Sequence, residues 1–124
     1  IIINVQFNAK FDKLHIKDGI PHNADGILKT SNTSILGFIP LNLGDVSSEF
    51  SPQDDGFQIN LHNQNGELDL DGIIYVANGG AYNADLTLSK NARTPDNVLQ
   101  TVQMIGKKIT EDSVKIVNQG QLGI

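Results

Sequence analysis

Apolar and polar residues alternate at the start of this chain with a period of two. In the opening stretch IIINVQFNAKF every odd position is apolar, namely Ile1, Ile3, Val5, Phe7, Ala9 and Phe11. Successive side chains of a strand point to opposite faces, so this pattern predicts a strand with one buried face. We therefore expect these six side chains to pack against a β-sheet, in this chain or in a neighbouring copy.

The same alternation recurs in shorter stretches separated by turn residues. We predict strands at Leu14–Ile16, Ile27–Thr30, Ser34–Leu43, Phe57–Leu61, Leu68–Ala77, Tyr82–Leu88 and Ile109–Val117. Asp18-Gly19, Asp25-Gly26 and Asn78-Gly79-Gly80 predict turns. Pro40 cannot donate to a ladder and marks an edge, a bulge or a break. The polar stretch Gly44–Gly56 predicts a loop, and Gln119–Ile124 a loose tail.

The strongest local signal is a hairpin centred on Asn65-Gly66. Apolar residues alternate with polar ones on both sides of this dipeptide, from Phe57 to Val76. Asn-Gly favours a two-residue type I′ turn because both positions adopt positive φ. We therefore predict two antiparallel strands joined by that turn.

Two structures compete for the stretch from Thr94 to Gly106. Thr94 or Asp96 is suited to cap a helix with Pro95 at its first position, and the spacing of Val98, Leu99, Val102 and Ile105 suits a short helix. The alternation of Val98, Gln100, Val102 and Met104 suits a strand. The β-branched residues and Gly106 favour the strand slightly.

Seven to nine short strands with at most one short helix predict an all-β fold. An antiparallel β-sandwich, immunoglobulin-like or jelly-roll-like, is the architecture that this spacing of strands and turns favours. The 124 residues show no linker or internal repeat, so we expect a single domain over residues 1–124.

Composition excludes several classes of partner. A net charge of −5, with Lys107-Lys108 as the only basic doublet, disfavours nucleic acid, whose phosphates require clustered Lys and Arg. No apolar run approaches the roughly 20 residues of a membrane-spanning helix. Asn, Gly, Ser and Thr are abundant, and Ile1 is consistent with a leader having been removed. We expect an extracellular or cell-surface location.

The carboxylates of NQNGELDLDG are the best candidate for a metal site. Glu67, Asp69 and Asp71 would share one strand face at about 7 Å spacing, and calcium prefers such oxygen ligands. The spacing does not match an EF-hand loop, so an acidic face that keeps the hairpin exposed to water is the favoured interpretation. His15 and His22 flank a turn, and His62 occupies a polar strand position.

No sequence motif indicates catalysis. The chain contains no nucleophile elbow, Walker loop or Ser-x-x-Lys arrangement. We therefore expect neither an enzyme nor a cofactor. Sugars bind exposed aromatic rings beside polar residues, so Tyr75 or Tyr82 could serve a sugar-binding site, with Tyr82, Asn78 and Asn83 as the candidate ligand-binding residues. Core packing is the favoured interpretation of the rings.

The opening stretch resembles the N-terminal extension of bacterial fimbrial subunits that assemble by donor-strand exchange. A further similarity is the alternating segment Gly80–Leu88, which resembles the closing strand of such subunits. The resemblance implies an incomplete immunoglobulin-like sandwich whose groove receives alternate side chains of a neighbour's first strand. The position of Gly80–Leu88, 36 residues before the end, and the lack of cysteine depart from the family pattern.

The function that we predict from the sequence is therefore structural. The primary hypothesis is a secreted, non-enzymatic subunit that assembles through strand packing into a surface fibre or particle, with copies of itself or related subunits as partners. A carbohydrate-binding module that contacts a glycan or a host receptor through Gly44–Gly56 and Asn78–Tyr82 is the alternative. A viral capsid or tail component is a further one.

Overall fold

The computed structural model describes residues 2–36 and 40–122. For residues 2–7, 32–36, 40, 41 and 105 it describes the backbone alone. The elements are β1 (Ile2–Lys17), β2 (Ile20–Leu36), β3 (Pro40–Gln53), β4 (Gly56–Gln64), β5 (Leu68–Ala77), β6 (Ala81–Lys90), α1 (Asp96–Ile105), β7 (Lys107–Thr110) and β8 (Ser113–Gln121).

All eight strands belong to one antiparallel sheet. Their order is β1-β2-β3-β4-β5-β6-β8-β7, so each of the first five strands pairs with the next one along the chain, whereas β6 pairs with β8 and β7 lies on the far side of β8. The prediction of an all-β antiparallel fold with at most one short helix is confirmed. Within the described residues, no helix has both the length and the apolar character needed to cross a membrane.

One face of the sheet carries the core. Phe57 of β4 lies opposite Val76 of β5, and Val76 lies opposite Tyr82 of β6, so their side chains share this inner face. A first cluster there contains Ala24, Phe57 and Val76 with partly buried neighbours. The second cluster contains Leu43, Val46, Leu68, Leu70, Leu88, Val98, Val102 and Val114. The inner face is therefore apolar along the length of the strands, as their alternation predicted.

The curvature of the sheet helps to cover the first cluster. Ala24 of β2 is 1% exposed although two strands separate β2 from β5. A Cβ placed on Gly80, in the turn before β6, would lie 3.1 Å from a methyl group of Ile20 at the start of β2. The sheet thus bends until distant strands approach each other across the inner face.

Helix α1 covers the second cluster, and the slight preference for a strand here was wrong. Val98 and Val102 are 4% and 2% exposed, one helical turn apart, and pack on the inner face. Gly106 ends the helix by donating its N–H to the Val102 carbonyl. Pro95 occupies the N-cap position without a capping hydrogen bond, whereas Thr94 bonds to Glu67 and Asn91 instead.

The predicted loop at Gly44–Gly56 is a strand over most of its length. Val46, Ser48 and Phe50 point to the core in alternation with exposed Asp45 and Glu49. Small and polar residues at several positions obscure this two-residue alternation in the sequence. The prediction was wrong because the neighbouring strands β2 and β4 supply hydrogen bonds to both sides of this segment.

Asp25-Gly26 is not a turn but part of β2. Gly26 lies opposite Phe11 of β1 and Phe50 of β3. A Cβ at Gly26 would lie 2.7 Å from the Phe11 Cα and 2.8 Å from its ring. Gly26 is therefore a residue of close packing between strands, one of the roles that an isolated glycine in a strand can have. The predicted turn at Asp18-Gly19 is confirmed, with positive φ at both positions.

The hairpin of β4 and β5 is confirmed, but its turn differs from the prediction. Three residues, 65–67, connect the strands, and Asn65 adopts a positive φ while Gly66 does not. A type I′ turn requires positive φ at both central positions, so that assignment was wrong. The Glu67 N–H donates to the Asn42 carbonyl, which attaches the connection to β3 and widens it.

The end of the chain is more ordered than the sequence predicted. The single strand predicted at Ile109–Val117 is divided between β7 and β8 by a turn at residues 111 and 112. β8 continues to Gln121 beside β6, and Leu122 packs against the first core cluster. The expected loose tail is thus a strand of the sheet as far as Gln121.

Candidate interaction edges of the sheet

Strand β1 forms one edge of the sheet. It pairs with β2 from Ile2↔Leu36 to Lys17↔Ile20, so the opening strand lies in the sheet of its own chain. The sheet order places β2 on one side of β1 and no described strand on the other. In an antiparallel edge strand, about half of the N–H and C=O groups point away from the neighbour. This edge can therefore accept another strand.

The predicted assembly residues lie along β1. The backbones of Ile3, Val5 and Phe7 belong to the strand, while their side chains and all of Ile1 lie outside the described part of the chain. Ala9 is exposed. Phe11 is half-buried and its ring meets that of Phe50 edge to face, with 5.1 Å between centroids.

The two halves of this edge differ in how well they are protected against pairing. Residues 2–9 (IINVQFNA) contain no charge, proline or glycine. The second half carries the charged residues Lys10, Asp12, Lys13 and Lys17. The register with β2 shifts in both halves, at Val5 in the first and at Asp12 and after His15 in the second. Charged side chains on an edge strand, lysine above all, hinder edge-to-edge association, so the uncharged first half is the less protected one.

The opposite edge of the sheet contains a second unprotected segment. β7 is only four residues long and pairs with Ser113–Lys115 of β8. Beyond Lys115, residues 116–121 (IVNQGQ) pair with β6 on one side, and the described part of the chain places no strand on the other. This segment also contains no charge and no proline. An uncharged run alone does not predict an edge, because the absence of a neighbouring strand is set by the pairing of β7 with β8.

The outer face of strands β5, β6 and β8 forms a shallow groove of about 610 Å³. Its floor includes Ile73 and Val117, which are 48% and 63% exposed. Asp85 lies between them in register and forms an ion pair with Lys115, with 3.1 Å between Oδ2 and Nζ. Both side chains of the pair are about half exposed, and such pairs contribute little to stability.

The candidate sugar-binding residues do not converge. Tyr82 packs against the first core cluster on the inner face, with its ring over Gly120. Asn83 is exposed on the outer face, where it lies between Tyr75 and Gln119. Asn78 is exposed in the turn before β6. Tyr82 and Asn83 therefore point to opposite faces, and only Asn83 lines the outer groove.

The carboxylates proposed for a metal site are also dispersed. Asp69 accepts a hydrogen bond from the Asn91 side chain at 3.0 Å, whereas Asp71 lines the outer groove. Glu67 lies in the connection before β5 and has a buried Oε2 without a hydrogen-bond partner in the described structure. Across residues 2–36 and 40–122, no three His, Asp or Glu side chains are grouped closely enough to hold a metal ion.

The histidines lie in two separate places. His15 and His22 face each other across the hairpin of β1 and β2, with ring centroids 6.0 Å apart. His62 is exposed on β4, as its polar strand position predicted. The candidate ligand residues thus lie apart from one another, and the described sheet leaves β1 and residues 116–121 each with a strand on one side only.

Comparison with known proteins gives one informative result. A family model described as type II secretion system (T2SS), protein N, matches residues 3–117, which extends from β1 into β8. Searches of curated proteins and of solved structures gave no significant match.

Proposed function

Because this chain belongs to the family of type II secretion system protein N, we propose that it is a structural, non-enzymatic component that joins the secretion machinery through the open edge of β1. The family match over residues 3–117 is the observation that carries this proposal, since it covers nearly the whole sheet. The location that the proposal implies is the cell envelope, where the machinery operates.

The mode of association is strand addition. A strand that pairs with β1 would satisfy the backbone groups that now face water, and the alternate side chains would fix its register. Residues 2–9 favour this because they contain none of the charges or prolines that keep other edges apart. In this proposal the first strand stays in its own sheet and offers its edge.

The family differs from the one that the opening stretch resembles. The comparison identifies a secretion-system protein and not a fimbrial subunit. The proposal retains from that resemblance only association through strand pairing. It does not include adhesion, glycan binding or a viral particle.

A secretion assay tests the proposal. In a bacterium that carries this protein, the native gene is replaced by an Asn4→Lys/Gln6→Lys variant, which places two lysines two residues apart on the open edge. We expect secretion through the type II machinery to fall at least tenfold, while the cellular amount of the protein is unchanged on an immunoblot. Lysines at these positions would hinder pairing without altering the apolar positions of β1.

The matched control places the same two lysines inside the sheet. Asn60→Lys/His62→Lys has the same spacing on β4, which is paired on both sides, and His62 is exposed. We expect secretion by this control to equal that of the wild type. Normal secretion by the β1 variant, or an equal loss in both variants, would refute a role for the β1 edge.

A further inference from the structure

Each copy of this chain carries two unprotected edge segments at opposite ends of one sheet. The first is residues 2–9 of β1, and the second is residues 116–121 of β8. Both are uncharged and free of proline, whereas the adjoining edge residues include Lys10, Lys13, Lys107 and Lys108. The unprotected segments therefore occur as a pair, one at each end.

The second segment is bounded by a notch. Beside it lies a cavity of about 250 Å³, lined by Gly106, Lys107, Lys115, Ile116 and Val117, at the point where the chain leaves α1 and β7 begins. β7 lies beside Ser113–Lys115 only, and the described part of the chain places no strand alongside the remainder of β8. Val117 in this segment is 63% exposed.

We propose that the strand that pairs with β1 belongs to a second copy of this chain, whose β8 edge at residues 116–121 receives residues 2–9. This inference rests on the proposed role of the β1 edge and adds the identity of its partner. Pairing of β1 with β8 uses both open edges of every copy, whereas pairing of β1 with β1 would leave each β8 edge unpaired. Copies that add in this way form a head-to-tail series, because the contact is heterologous.

Matching charge supports a second copy as the occupant. The whole chain has a net charge of −5, which opposes contact between arbitrary surfaces of two copies. Both open segments are uncharged, so they can approach without burying an unpaired charge. The absence of charge in both residues 2–9 and residues 116–121 is therefore compatible with direct pairing of the two segments.

Complementary blocked variants test the proposal. One variant blocks β1 (Asn4→Lys/Gln6→Lys), and the other blocks β8 (Val117→Lys/Gln119→Lys) at exposed outer-face positions. We expect the wild type to form a series of oligomers that grows with concentration, as measured by size-exclusion chromatography with light scattering. Each variant alone is expected to remain at the 13.4 kDa of one chain.

An equimolar mixture of the two variants supplies the decisive result. One partner still has an open β8 edge and the other an open β1 edge, so we expect a capped dimer with twice the mass of one chain. Circular dichroism of each variant, unchanged from the wild type, shows that the fold is retained. The Asn60→Lys/His62→Lys variant is expected to oligomerise like the wild type.

Three results would overturn the proposal. They are a wild type that stays monomeric at all concentrations, a mixture that stays monomeric, and a β8-blocked variant that dimerises alone through β1. A monomeric mixture combined with lost secretion in the β1 variant would refute only the second copy as partner. The proposed function would then stand with a different subunit of the machinery at the β1 edge.

Discussion

Asn63 shows how a single side chain replaces part of a ladder. The pairing of β4 with β5 ends at His62↔Asp71, just before the widened connection. There the Asn63 amide donates to the Leu43 and Leu68 carbonyls at 3.0 and 2.8 Å, and its carbonyl accepts from the Leu70 N–H at 2.7 Å. One amide therefore joins three strands where the backbone alone does not.

Replacing Asn63 by Ala should destabilise the fold more than most substitutions of a polar residue do. The change leaves three partly buried backbone groups without these partners, and an unpaired buried polar group costs about 1–3 kcal/mol. We expect the free energy of unfolding in urea to fall by about 2–4 kcal/mol. Asn78→Ala, in an exposed turn, is the control and should change it by less than about 0.5 kcal/mol. Equal effects of the two substitutions would contradict this role of Asn63.

For single residues, the sequence identifies dipeptides that favour turns but not the conformation that each one adopts in the sheet. Asp25-Gly26 and Asn65-Gly66 are both strong turn signals, yet the first lies within a strand and the second forms a different turn. Glycine is needed at position 26 because a Cβ there would collide with Phe11. Phe11 is 15 residues earlier in the sequence and lies opposite Gly26 in the sheet. A contact of that kind depends on the register between strands, which local composition does not encode.

Among the elements, α1 shows how tertiary packing resolves an ambiguous pattern. Its sequence supports a period of two as well as a helical period, because Val98 and Val102 belong to both. The inner face of the sheet around Leu68, Leu88 and Val114 is apolar and needs a cover. A helix places Val98 and Val102 on that surface together and leaves Met104 in water, 85% exposed.

Truncations on the two faces of α1 should therefore differ. Val102→Ala removes methyl groups from a site that is 2% exposed, and we expect the free energy of unfolding to fall by about 2 kcal/mol. Met104→Ala on the same helix should change it by less than about 0.5 kcal/mol. Thermal and urea unfolding of both variants provide the comparison. A larger loss for Met104→Ala would mean that the helix packs through another face.

Strand alternation predicted most elements of the sheet, and β3 shows where this signal fails. The second half of β3 alternates Val46, Ser48 and Phe50 with polar residues, but serine at a buried position weakens the contrast on which the period depends. The existence of an edge is harder still to predict. Whether residues 116–121 have a neighbour depends on where β7 begins, which is a property of the strand pairing and not of the segment itself.

For the whole molecule, the arrangement of the sheet determines what it can bind. The order of the eight described strands begins at β1 and ends at β7, so the sheet has two edges, and only a closed barrel or a covering element removes edges. Here lysines protect part of each edge against pairing with another strand, whereas the uncharged residues 2–9 and 116–121 are unprotected. A component of a secretion machinery built in this way is suited to extend its sheet into a neighbour, which is the central claim of the proposed function.

Hydrogen exchange of the wild-type protein, followed by mass spectrometry over a range of concentrations, tests that claim most directly. The backbone N–H groups of residues 2–9 that point away from β2 should exchange rapidly in dilute solution and become protected as strands pair. Peptides from β4, which is paired on both sides, should show no dependence on concentration. Exchange in residues 2–9 that is the same at every concentration, with or without the other components of the machinery, would contradict the account.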